Sequence, residues 1–265
     1  MKVNTFFAVA ISIFAFSCSS DDEPGSTVTL GNYMPLTDGN FWTYDVDGTQ
    51  SMGRDSVYVA NDTVISGTTY KKIKARPIPF GMYSGTTQNN GLRIENGKIM
   101  MTGNASVGIN DMLPLGLSIS NFVLLDENAS ANQELGSISG TSQQEIGGYP
   151  MTLNYTLKSI AGSSLPTYTT PENAVYDDVK SVTIKLNLAI TATVEVLGMT
   201  MEVPVLIAQD VVTSERFYAN DIGMVYAETV ISYELQDFSA FDITLPIPQS
   251  DTQLQIESLQ AYNID

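Results

Sequence analysis

The sequence predicts an all-β protein, built as a large curved antiparallel sheet or an open half barrel, and three observations predict it. From about residue 30 onward apolar and polar residues alternate with period 2, and no segment keeps a helical period. Pairs of Gly, Asn, Asp and Ser interrupt the alternation where tight hairpin turns would fall. In the C-terminal half the alternating stretches far exceed the usual five or six residues, which favours a curved or closing sheet.

The chain begins differently. Lys2 supplies a positive start, and Phe6 to Phe16 is an apolar run broken only by Ser12. Its length suits a signal peptide and is too short to span a bilayer. Ala15-Phe16-Ser17-Cys18 resembles a lipobox, apart from the bulky Phe16, so residues 1–17 read as a cleaved signal and Cys18 as the lipidated N-terminus. Residues 18–29 then form an acidic tether. Ser19-Ser20-Asp21-Asp22-Glu23 resembles the export mark of Bacteroidetes-type surface lipoproteins. The simpler reading is a solvated linker.

Residues 30–265 read as one β-rich domain. Phe41, Trp42, Tyr44 and Val46 open it on a strand that Asp47-Gly48 closes. Ser66-Gly67 links Asp62–Ile65 to Thr68–Lys72. Asn96-Gly97, between Leu92–Glu95 and Lys98–Met101, is the clearest hairpin, because both residues readily take positive φ. Gly147-Gly148 precedes Tyr149–Leu157. The longest signal runs through Val182, Ile184, Leu186, Leu188, Ile190, Ala192, Val194 and Val196. After Leu197-Gly198, the residues Met201, Val203, Val205 and Ile207 resume it. Pro204 requires an edge or a bulge there. Asn220–Gly223 turns the chain into Met224–Leu235, while residues 103–116 and 161–175 read as long loops. The apolar face at 182–207 has no amphipathic helix to cover it. Other strands of a closing sheet, or a ligand, must do so.

Composition removes several classes of function. The net charge is −17, and residues 1–17 contribute only Lys2, so the remainder carries −18. Such a chain repels phosphate backbones, which argues against nucleic acid. Histidine is absent and Cys18 is the only cysteine, which excludes Ser-His-Asp and Cys-His catalysis, imidazole metal sites and disulfides. No cofactor or metal is called for.

A second likeness lies in Tyr33–Tyr44, which resembles the "YxPLxxGNxWxY" opening of uncharacterised Bacteroidetes lipoproteins. Val123–Asp126, Val175–Val179, Arg216–Ala219 and Gly223–Tyr226 match later blocks in order. The likeness implies a one-domain β architecture, distantly similar to half barrels that carry or sense lipids, and it transfers no catalytic residue.

The candidate sites are few. Trp42 and Tyr44 would contact a glycan or an apolar ligand if exposed, or pack as core if not. Asp45–Gly48 has too few oxygen ligands for a calcium loop and reads as a turn. Met100, Met101, Met199 and Met201 read as strand packing. Asp55-Ser56-Val57 and Asp62-Thr63-Val64 match a short pattern that, by the same likeness, is O-glycosylated at Ser56 and Thr63. The functional expectation is a non-catalytic lipoprotein, anchored in the outer membrane and facing the exterior, that binds a glycan, an apolar ligand or an outer-membrane protein. The alternatives are a lipid carrier and a hydrolase using two carboxylates.

Overall fold

The computed structural model describes residues 30–49, 52–108, 114–196, 198–237 and 247–265. In chain order the elements are β1 (Phe41–Gly48), β2 (Met52–Ile65), β3 (Thr68–Ala75), α1 (Met82–Thr87), β4 (Gly91–Glu95) and β5 (Lys98–Gly108). Then come β6 (Pro114–Asp126), β7 (Glu134–Ile146), β8 (Tyr149–Thr169), β9 (Val175–Val196), β10 (Met199–Ala219), β11 (Gly223–Glu234) and β12 (Ser250–Asn263). All strands join one antiparallel sheet in the order β6-β5-β4-β3-β2-β1-β12-β11-β10-β9-β8-β7. The sheet curls into a nearly closed barrel with one unsealed seam. The all-β prediction holds, and the curvature is closer to closure than a half barrel.

Connectivity explains the closure. Consecutive strands are neighbours throughout except β6 and β7, and β12 also pairs with β1, from Phe41↔Asn263 to Gly48↔Gln255. That places the seam between β6 and β7, the sheet's two edges. No ladder forms between them. Instead the Ser159 hydroxyl donates to the Val123 carbonyl, and Gly136 lies close against Phe122 and Val123.

The turns match the sequence pairs. Asn96 and Gly97 have φ of 52° and 75°, and Ser66-Gly67 and Gly147-Gly148 also place both residues at positive φ. Asp221 and Gly223 do the same before β11. Residues 50 and 51, in the turn that follows Gly48, lie outside the described residues.

Two expectations need correction. The predicted loops are mostly strand: residues 103–108 belong to β5, 114–116 to β6 and 161–169 to β8, leaving 170–174 as the connection to β9. Gly162 was the misleading signal. A side chain there would collide with Ser181 of β9, so the glycine serves close strand approach. The second correction concerns β10. Val203 and Val205 face inward, but Met201 and Ile207 are 42% and 56% exposed. Register shifts between Pro204 and Leu206, and again before Gln209 and Val212, slip the alternation at Ile207, whereas Met201 keeps the phase of Val203 and is exposed near the start of the strand. Pro204 therefore sits at a bulge, as its missing N–H requires.

On β9 the predicted face is buried from Val182 through Val194. It belongs to one buried apolar cluster that also holds residues of β5, β6 and β11. Other strands cover most of this face, and Ile184 and Leu186 also line an interior cavity.

Candidate functional site

The barrel has two unlike ends. At the lower end residues 30–40 cross the opening. Gly31 N donates to Glu127 Oε2 at 2.7 Å, Asn32 N to Asn220 Oδ1 at 2.7 Å, and the Tyr33 hydroxyl to Asp178 Oδ1 at 2.8 Å. Tyr33 and Met34 are buried beneath. Asn40 ties the segment down, its Nδ2 donating to Pro35 O at 3.1 Å and its Oδ1 accepting from Asp265 N at 3.1 Å.

Trp42 and Tyr44 stand just above, fully buried. The Trp42 indole donates to Ile222 O, and the Tyr44 hydroxyl donates to Met224 O at 3.1 Å. Their rings are core, each polar tip satisfied by the backbone, and neither is exposed for stacking on a sugar. Ser56 and Thr63 are half-buried on the outer face of β2. Asp55, beside Ser56, points inward, and Asp62 pairs with Lys71 at 2.5 Å. Cys18, Ser19, Ser20, Asp21, Asp22 and Glu23 lie outside the described residues.

The upper end holds α1, the one helix among the described residues. Two buried carboxylates hold its start. Asp55 accepts from Phe80 N at 2.9 Å and Gly81 N at 2.7 Å. Glu257 Oε2 accepts from Tyr83 N at 2.6 Å, and its Oε1 accepts from Ser84 N and the Ser84 hydroxyl at 3.0 and 2.8 Å. These contacts satisfy helix N–H groups that have no intrahelical partner. Burial raises the Glu257 carboxyl above its usual range, while the hydrogen bonds from Ser84 and Tyr83 and the charge of Arg216 pull it down. Both acids are structural clamps, with every oxygen engaged. They do not resemble a free pair flanking a cleft.

α1 carries Tyr83 into a buried aromatic column. Tyr83 meets Tyr44 edge-on at 5.6 Å and Tyr218 at 6.5 Å. Burial pushes all three phenols up, so they remain neutral donors at physiological pH.

Beside this column lies an apolar cavity of about 40 Å³, walled by Leu117, Phe122, Leu157, Leu186, Val212 and Arg216. That is room for roughly two or three waters, not for a lipid. Met82 and Thr86 of α1 separate it from a wider recess of about 210 Å³ that Phe80, Ser106 and Ile231 line at the upper end. Arg216 is the only charged group on the inner cavity wall among the described residues, and it is 4% exposed. Its Nε donates to Ser214 Oγ at 3.1 Å, and its guanidinium lies 5.3 Å from the Tyr83 ring centre.

Sequence reading missed Arg216 and Glu257. A signal existed for the first, since Arg216 shares the inward phase of Val212, Ser214 and Tyr218. For Glu257 the pattern misled: Leu254 and Ile256 suggest an inward apolar phase, yet Leu254 is exposed and Glu257 faces the interior.

No family model, curated protein or solved structure matches this chain.

Proposed function

We propose that this chain is a lipid-anchored, exported, non-catalytic binding module that admits an apolar small molecule to its barrel from the upper end. The observation that carries the reading is the apolar cavity, separated from the upper recess by only Met82 and Thr86. Met82 is unbranched and half-buried, so it can swing aside at little cost. Expansion of the cavity on binding is part of the proposal, since about 40 Å³ holds no acyl chain. The anchor rests on Cys18 behind its signal-like run, and the described chain enters at the lower end, opposite the recess. The segment Ser19–Glu23 supports placement on the outer leaflet.

The test uses the full chain carrying Cys18→Ala. It should leave the membrane fraction with an unchanged melting temperature, and the detergent-free protein should brighten Nile red while still unfolding cooperatively. A variant that stays with membranes would refute the anchor. A folded protein that leaves the dye dark would refute the apolar ligand.

A second reading has its own observation. Met52, Ile78, Phe80, Met199, Met201 and Ile207 are exposed and belong to segments at the upper end of the barrel. Apolar surface of this kind suits docking to an outer-membrane protein. Cross-linking from Ile78 in intact cells tests it.

A further inference from the structure

We propose that Arg216 receives the head group of an amphiphilic carboxylate whose hydrocarbon tail runs up the apolar cavity towards the upper recess. This rests on the apolar-ligand reading above and names the class of ligand.

The first observation is an imbalance of donors. A guanidinium offers five N–H groups in a planar fork. Inside the barrel Arg216 uses only Nε, towards Ser214 Oγ, which already accepts from Thr229 Oγ1 at 2.8 Å. Apart from an interaction with the neighbouring Tyr218 hydroxyl, its two terminal nitrogens have no hydrogen bond to a described residue, and Arg216 borders the cavity. No carboxylate among the described residues lies at ion-pair distance from it. The buried acids nearby are spoken for: Asp55 and Glu257 both hold the start of α1. Burying a cation without a bonded anion is costly, so a fold that keeps one there is suited to an anion from outside.

The second observation concerns the hydroxyl beside this guanidinium. The Tyr218 hydroxyl, two residues along on the same face of β10, is buried, and its proton meets no acceptor among the described residues. A buried O–H left unpaired beside an underused guanidinium supplies a further donor for the same anion.

The remaining wall selects the rest of the ligand. Apart from Thr86, Ser214 and Arg216 itself, the cavity is lined by apolar side chains. A small hydrated anion would lose its water there with nothing to replace it on the apolar side. An acyl chain gains from the same surface. The fork geometry favours a planar carboxylate, which accepts two parallel N–H bonds, and nearby Glu257 disfavours a dianion.

The experiment uses the full chain with Cys18→Ala, free of detergent, and two fluorescent probes: cis-parinaric acid and its uncharged methyl ester. The wild-type barrel should bind the acid about ten- to a hundredfold more tightly than the ester, the range for a hydrogen-bonded charge. R216M should remove that preference and leave ester binding intact, R216K should retain part of it, and Y218F should weaken the acid alone by about threefold. Equal binding of acid and ester, or equal weakening of both by R216M, overturns the proposal while the apolar-ligand reading stands. Failure of both probes to bind ends both. If R216M melts below the assay temperature, the wild-type ratio and Y218F decide. Displacement by dodecyl phosphate in preference to dodecanoate overturns the carboxylate assignment.

Discussion

The lower end of this barrel is laced shut by its own chain, whereas the described part of the upper end is closed by one short helix. Below, residues 30–40 hydrogen-bond to turns more than 90 positions away in sequence, and Trp42 and Tyr44 fill the space above them. Above, α1 has six residues, too few to be stable without the contacts around it. It is held by Asp55, Gln255 and Glu257, with the cavity beneath it. Long-range bonds to a buried aromatic layer make one end a foundation. A helix hung on carboxylates makes the other the place where the structure can open with least loss of core.

Substitutions should separate the two ends. Trp42→Ala at the lower end should cost the most, about 3–5 kcal/mol of unfolding free energy in denaturant titration, because it empties a fully buried site. A loss under about 1 kcal/mol would mean the lower end is not the foundation. Glu257→Gln should cost about 1–3 kcal/mol, since an amide presents an NH2 to one of the donors now meeting a carboxylate oxygen. It carries a pH signature as well. The folded carboxyl is raised above the unfolded value, so its contribution is fully present below the unfolded value near pH 4.5 and is lost as pH rises through the folded one. The gap between wild type and variant should therefore be widest near pH 4.5 and narrow as pH rises. Parallel curves would show that α1 is not clamped by an acid of raised pKa.

The smaller effects sharpen the contrast. Met82→Ala should cost about 1 kcal/mol, because the side chain is only half-buried, and should speed dye entry in stopped-flow mixing. Unchanged entry kinetics would move the gate elsewhere. Ile78→Ser, at a residue 83% exposed, should change stability by no more than about 0.5 kcal/mol while reducing cross-linking to a membrane partner.

Alternation along β9 and the paired positive-φ turns were legible because each depends on a few neighbouring residues: a pleat of period 2, and a backbone only Gly, Asn, Asp or Ser enters cheaply. The same locality explains the misses. Ile207 was assigned to the wrong face because bulges at Pro204 and beyond are set by pairing with β9, and Met201, in phase with Val203, is exposed because it lies near the start of β10. Glu257 was overlooked because its inward position exists only where α1 lies inside the barrel, and six helical residues leave no readable period.

What the sequence determined by itself is therefore the β class, the inward face of the longest strand, and the chemistry the chain lacks without histidine or a second cysteine. These follow from composition and near-neighbour periodicity. The tertiary structure alone decided that β12 returns beside β1, that the seam falls between β6 and β7, and that Arg216, Tyr218 and Glu257 share one interior. Those facts join residues far apart in the chain, and only closure of the sheet brings such residues within hydrogen-bonding distance.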